Sequence, residues 1–146
     1  MPRIKIDLPA QFHFSTEIPI RITDINYGGH VGNDTILSLI HEARVQYLQH
    51  YGYRELEIGG VGLIMSDVSI DFKKELFYGN RVKASVAAGT FTKATFDLFY
   101  KMEIETEGRL YLIATAKTGM VCYDYNNKKI VAIPEDVKQK IANSQH

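Results

Sequence analysis

The 146-residue chain has no tryptophan, a single cysteine and four prolines. A lone cysteine excludes an internal disulfide framework and any cysteine-based zinc site. It fits a reduced, cytoplasmic setting. An excess of charge of either sign is also missing: 17 Lys and Arg face 17 Asp and Glu, so the formal net charge is zero. A general nucleic-acid binder carries a basic excess, so here only a local patch could serve. No run approaches the roughly 18 apolar residues of a membrane span. The opening Met1-Pro2-Arg3-Ile4-Lys5-Ile6-Asp7 has no signal-peptide apolar core. Internal repeats and low-complexity tracts are absent as well. His13, His41, His50 and His146 show no metal-ligand spacing such as His-x-x-x-His, so no metal is expected. No Gly-x-Gly-x-x-Gly follows a strand, which argues against a dinucleotide-binding fold.

What is present is a globular profile, 45% hydrophobic and 23% charged, in one domain spanning 1–146. Residues 12–22 mix apolar and β-branched types and predict a strand. Asn26, Gly28, Gly29 and Gly32 then punctuate a loop over 23–32. Ile36, Ile40, Ala43, Tyr47 and Tyr51 recur at spacings of four and three, which predicts a helix over 33–51. Leu37, Leu39 and Leu48 widen its apolar stripe. Asn33 is a good N-cap type, Asp34 suits the positive end of the helix dipole, and Gly52 suits the far end.

Past residue 60 the period becomes two. Val68, Ile70 and Phe72 alternate with polar neighbours; Val82, Ala84, Val86 and Ala88 alternate with Lys83, Ser85 and Ala87; Phe96, Leu98, Tyr100, Met102 and Ile104 alternate with mostly charged residues, with Phe99 on the outer face. Residues 110–125 are apolar on both faces, as a central strand is. Pro134-Glu135 opens a short terminal helix over 134–142, with Pro at its first position. One long helix therefore faces about five strands, in the order strand, helix, meander. The expected class is α+β, a curled antiparallel sheet wrapped around the helix. Ala84, Ala87 and Ala88 would let sheet and helix approach closely.

The stretch Thr23-Asp24-Ile25-Asn26-Tyr27-Gly28-Gly29-His30-Val31-Gly32-Asn33, feeding a helix with His41-Glu42-Ala43-Arg44, resembles the hotdog-fold acyl-CoA thioesterases. The nearest group is the 4-hydroxybenzoyl-CoA thioesterase-like family, and the strand–helix–meander order matches it over nearly the whole chain. Asp24, Gly29, Val31, Glu42 and Arg44 fit the family's pattern. Gly29-His30-Val31 also resembles the Gly-His-Val-Asn-Asn form, which includes acyl-carrier-protein thioesterases, with Gly32 in place of an asparagine. The resemblance implies a homodimer or homotetramer with sites at subunit interfaces. It implies no cofactor beyond the CoA of the substrate, with acyl carrier protein as an alternative partner. It directs the thioester carbonyl at the amide of Asn33. The family's catalytic carboxylate falls on Asn26, and an amide is not a base at pH 7. Either Asp24 takes over as base or nucleophile, or Asn26 positions water with help from His30, or the protein binds thioesters without hydrolysing them efficiently.

The residues support that chemistry independently. Thioester hydrolysis needs a group that activates a nucleophile and donors for the developing oxyanion. A helix N-terminus supplies free N–H groups and partial positive charge. His30, with an ordinary pKa of about 6.5, suits a general base. Glu42 lies nine residues past Asn33, about 13–14 Å along a helix, so it is expected to pair with Arg44 or a nearby loop instead. Ser38 is not expected to be a nucleophile. Cys122 is expected in the core. Lys73, Lys74, Arg81, Lys83, Lys93 and Lys101 are the candidates for CoA phosphates, each more simply read as part of a solvated sheet face.

Overall fold

A computed structural model of the chain describes residues 5–26, 28–29 and 31–143. Strand β1 (Phe14–Pro19) runs through a single 3₁₀ turn (Ile22–Asp24) toward helix α1 (Asn33–His50). Strands β2 (Gly62–Phe72), β3 (Arg81–Gly89), β4 (Thr95–Thr106), β5 (Arg109–Asp124) and the short β6 (Lys129–Ile130) follow, and α2 (Glu135–Asn143) closes the described chain. Every pairing is antiparallel, in the order β1-β3-β4-β5-β2, with β6 on β5. This is the expected α+β architecture, a curled sheet packed on one long helix.

The helical period explains the packing. Ile36, Leu39, Ile40, Ala43, Tyr47 and Leu48 are buried in α1, and they join Val82, Ala84, Val86, Leu98, Tyr100 and Met102 in one core. Ile40, Tyr47 and Leu48 are wholly inaccessible, and each such side chain stabilises the fold by about 1.5–3 kcal/mol. Leu37 does not widen this stripe: it faces outward and is 39% exposed. Ala84 and Ala88 meet the helix side as expected, but Ala87 is buried on the opposite sheet face, because alternation along β3 turns it away. Residues near the N-terminus lie along that outer face. The Lys101 ammonium sits 4.8 Å over the Phe12 ring, and Ile6 shares a recess with Phe99 and Lys117.

Element ends and caps differ in detail from the sequence expectation. β1 stops at Pro19 because Ile22–Asp24 wind into a turn that the Asp24 carboxylate holds at the Arg21 amide. α1 begins at Asn33 with Gly32, which has no side chain, in the capping position. α2 begins at Glu135, one residue after Pro134, whose carbonyl accepts the Lys138 N–H at 3.0 Å. β2 is an edge strand, so Val68 and Phe72 are 37% and 44% exposed despite their alternation. No helix of the described residues is long and apolar enough to cross a membrane.

One irregularity positions the site. The β4–β5 register shifts between Met102 and Glu103, leaving Ile113 as an extra residue. The freed Ile113 carbonyl accepts both the Lys73 and Lys74 amides, at 2.8 and 3.1 Å. The chain leaving β2 is thereby fixed at the point where it turns toward the start of α1.

Candidate active site

The first turn of α1 leaves donors free. The Thr35 and Ile36 amides donate to the Gly32 carbonyl at 3.1 and 3.2 Å, whereas the Asn33 and Asp34 amides have no acceptor among the described residues. These two N–H groups carry the positive end of the helix dipole. A cleft of about 390 Å³ opens there. Its walls come from two segments: Asn26, Val31, Gly32, Asn33 and Ile36 from the loop and the start of α1, and Phe72, Lys73, Lys74, Glu75 and Leu76 from the end of β2 and the connection after it. The Val31 amide donates to the Leu76 carbonyl at 2.8 Å and ties the two walls together.

Asn26 makes an Asx turn, its Oδ1 accepting the Gly28 N–H at 2.9 Å. Its Nδ2 lies close to Gly32. A Cβ on Gly32 would stand 3.5 Å from that nitrogen and 2.8 Å from Asp34 Oδ1. The Gly-His-Val-Asn-Asn form carries asparagine here; in this chain a Cβ would touch Asn26 at ordinary contact distance but push on the Asp34 carboxylate.

Asp24 is placed differently. It is 7% exposed, its Oδ2 accepts the Arg21 N–H at 2.8 Å, and its Oδ1 lies 3.4 Å from the Arg21 guanidinium. It borders a neighbouring recess with Thr23, Ile25, Asn26, Asp34 and Thr35, and does not line the Asn33 cleft. Asn26 stands between the two and borders both. Of the sequence-derived site residues, the structure therefore brings Asn26 and the Asn33 amide into one cleft and sets Asp24 behind them. His30 lies outside the described residues.

Other candidates resolve as follows. Glu42 does not pair with Arg44; it is exposed and lines a groove with Phe14, Thr16 and Gln46. Arg44 instead turns inward, where its Nε meets Glu55 Oε1 at 3.1 Å and its Nη1 donates to Tyr100 Oη at 3.3 Å. Tyr100 Oη shares a 2.8 Å hydrogen bond with Thr118 Oγ1, and His41 Nε2 lies 3.0 Å from Glu55. Burial raises the Tyr100 phenol above its ordinary value, so it stays neutral. Burial works to lower the Arg44 value, but Tyr100 and Glu55 outweigh it and hold the guanidinium above its usual range. This is a structural clamp between α1 and the sheet. Ser38 Oγ points back to the Asp34 carbonyl at 3.4 Å.

Cys122 is fully buried, and desolvation pushes its thiol up to about 11, which removes it as a nucleophile at neutral pH. Of the lysines and arginines named for phosphate binding, Lys73 and Lys74 border the cleft. Arg81 and Lys83 line a recess with Glu17, Glu105 and Glu107. Lys101 stacks on Phe12. The residue that sequence reasoning did not single out is Glu75. It lies in the connection between β2 and β3, where no periodicity or motif spacing marks it.

Residues 20–141 match the family model of the thioesterase-like superfamily. A 1,4-dihydroxy-2-naphthoyl-CoA hydrolase of Microcystis aeruginosa is 27% identical over 122 residues, covering 82% of this chain and 86% of that one. Among solved structures, a 1,4-dihydroxy-2-naphthoyl-CoA thioesterase from Synechocystis superposes with a TM-score of 0.80 at 23% identity, covering 91% of this chain and 98% of the other. A 4-hydroxybenzoyl-CoA thioesterase, solved as an aspartate-to-asparagine variant in complex with 4-hydroxybenzoyl-CoA, also gives 0.80, at 15% identity over 88% of this chain and 97% of the other.

Proposed function

The chain belongs to the thioesterase-like superfamily and has its hotdog fold, and we propose that it hydrolyses a CoA thioester in the cleft at the start of α1. The observation that carries this reading is the Asn33 amide, which has no acceptor among the described residues and lies at the wall of that cleft. A thioester carbonyl directed at this N–H gains a donor and the helix dipole as negative charge develops on its oxygen. Asn26 Nδ2, on the same wall, orients the carbonyl or the attacking water. Asp24 acts through the loop, holding the 3₁₀ turn from which Asn26 projects. His30, in the same loop by sequence, is a second group to test for proton transfer.

Val31, Ile36, Phe72 and Leu76 give the cleft an apolar lining suited to an acyl group. Lys73 and Lys74 stand on its rim for the CoA phosphates. Lys73 Nζ already lies 2.9 Å from Asp71 Oδ2, and the Lys74 ammonium sits 4.4 Å over the Tyr111 ring, so both are held at the rim. The exposed edge of β2, with Met65, Val68 and Phe72 on it, is a surface for pairing with a second copy of the chain. Phe72 belongs to both the edge and the cleft, so a homodimer formed there would border the acyl site.

Asn26 favours one rival, a protein that binds acyl-CoA or acyl carrier protein without turnover, since an amide stands where the family's carboxylate falls. The test is thiol release from a panel of acyl thioesters, beginning with 1,4-dihydroxy-2-naphthoyl-CoA, the substrate in the name of the Microcystis relative. The panel extends to benzoyl and aliphatic chains, each on CoA and on acyl carrier protein. Turnover of a CoA thioester by the wild type supports the reading. Saturable binding with turnover only in Asn26→Asp would install the rival, and preference for the carrier-bound acyl group would change the substrate class.

A further inference from the structure

Hydrolysis at this cleft requires a group that takes a proton from water, and three of the obvious sources are unsuited by position or chemistry. Asp24 is buried, bonded to Arg21, and borders the neighbouring recess. Asp34 borders that same recess rather than the cleft. Asn26 is an amide whose Oδ1 is engaged by Gly28. Among the residues that line the cleft, which include Asn26 and Asn33, Glu75 is the carboxylate.

Its backbone is held on both sides. The two preceding amides, Lys73 and Lys74, donate to the Ile113 carbonyl at the β5 bulge. The following residue, Leu76, accepts the Val31 N–H at 2.8 Å and buries its side chain to 1% exposure. The backbone between two such anchors is placed by the fold rather than by a free loop, which is what a catalytic group needs. The Val31–Leu76 bond also fixes the spacing between Glu75 and the oxyanion donor two residues beyond Val31.

We infer that Glu75 is the general base of this active site, an assignment that rests on the thioesterase reading given above. The Glu75 carboxylate takes a proton from a water as its oxygen bonds to the thioester carbonyl carbon. The carbonyl π electrons move to the oxygen facing the Asn33 N–H. The tetrahedral intermediate collapses, the C–S bond breaks, and the thiolate receives the proton from Glu75. The products are a carboxylic acid and the free CoA thiol, and the carboxylate is regenerated.

The experiment compares wild type, Glu75→Gln, Glu75→Asp and Asp24→Asn for steady-state thiol release across pH, and for CoA binding by calorimetry. The melting temperature of each variant is measured alongside, so that a loss of fold is told apart from a loss of chemistry. Expected is a fall of roughly 10²–10⁴-fold in kcat for Glu75→Gln, with unchanged CoA affinity and loss of the acidic limb of the rate profile. Glu75→Asp keeps the limb and part of the rate. Glu75→Gln within about threefold of an active wild type would overturn the assignment and leave the thioesterase reading standing. A wild type inert on the whole panel would remove both.

Discussion

The Val31 amide and the Leu76 carbonyl meet at 2.8 Å, and this one bond joins the loop that enters α1 to the connection that leaves β2. Both residues are buried, at 6% and 1%, so the bond is shielded from competing water. Proline at 31 would remove the N–H and leave the Leu76 carbonyl without its donor. We expect Val31→Pro to lower kcat roughly 100-fold through misplacement of the cleft walls, whereas Val31→Ala keeps the bond and most of the rate. Equal losses in the two variants would show that apolar contact, not the bond, sets the cleft.

Gly32 carries no strain at φ −77°, so its requirement is space. A Cβ there would lie 2.8 Å from Asp34 Oδ1 and must displace that carboxylate or shift the Asn33 amide. Gly32→Ala is expected to reduce kcat roughly 10–100-fold with a melting temperature close to wild type. A variant as active as wild type would mean that Asp34 swings clear and the amide does not move.

Asp24 separates a positioning role from a chemical one. Asparagine keeps an oxygen that can accept the Arg21 N–H, and alanine does not. Asp24→Asn should therefore retain most turnover, while Asp24→Ala loses about 1–2 kcal/mol of stability in urea unfolding. The exposed Arg21 guanidinium adds little to this. Collapse of kcat in a well-folded Asp24→Asn variant would place the base on Asp24 and not on Glu75.

The fold was largely legible because its signals are periodic. The 36-40-43-47 spacing and the alternation along 82–88 and 96–104 survive in the structure as buried stripes. The failures have local causes. Leu37 reads as apolar, but it lies on the outer side of α1, and nothing in a single helix's pattern says how wide the covering sheet is. Arg44 lies two residues from Glu42, whose sequence expectation is a pairing with Arg44 or a nearby loop, but residues i and i+2 do not face each other on a helix. Its partner Glu55 comes from the loop after the helix, a contact no spacing encodes. The loop side of the candidate site was visible through Asn26, Gly32 and Asn33. The Glu75 side was not, because it depends on a β-bulge at Ile113, more than thirty residues farther along the chain.

Arg44 links α1 to the sheet through Glu55 and Tyr100. Removing one partner of a buried charged pair costs about 3–5 kcal/mol, and the partial exposure of Glu55 at 28% reduces that here to about 2–4. Arg44→Ala should show this loss in urea unfolding. Tyr100 keeps its Thr118 partner, and the cleft is built from other residues, so kcat at 25 °C should change little. A loss below about 0.5 kcal/mol would mean that the clamp is replaceable by solvent.

Cys122 makes a pH-dependent contribution whose direction can be worked out. In the fold its thiol is pushed up to about 11 by burial, against about 8.5 in an unfolded chain. Below pH 8 both states hold the proton and the contribution is intact. Between about 8.5 and 11 the unfolded state releases its proton while the native state keeps it. Stability therefore falls with rising pH, by at most about 1.4 kcal/mol per unit. Tyrosines and lysines titrate in the same window, so the useful quantity is the stability of wild type minus that of Cys122→Ala. That difference should shrink by about 3 kcal/mol between pH 8 and 11, and parallel curves would refute the burial argument. The same burial predicts that native protein at pH 8 gives no signal with a thiol-specific disulfide reagent until it is unfolded. Thiol release measured with such a reagent would then report the CoA product alone, with no contribution from the enzyme's own cysteine.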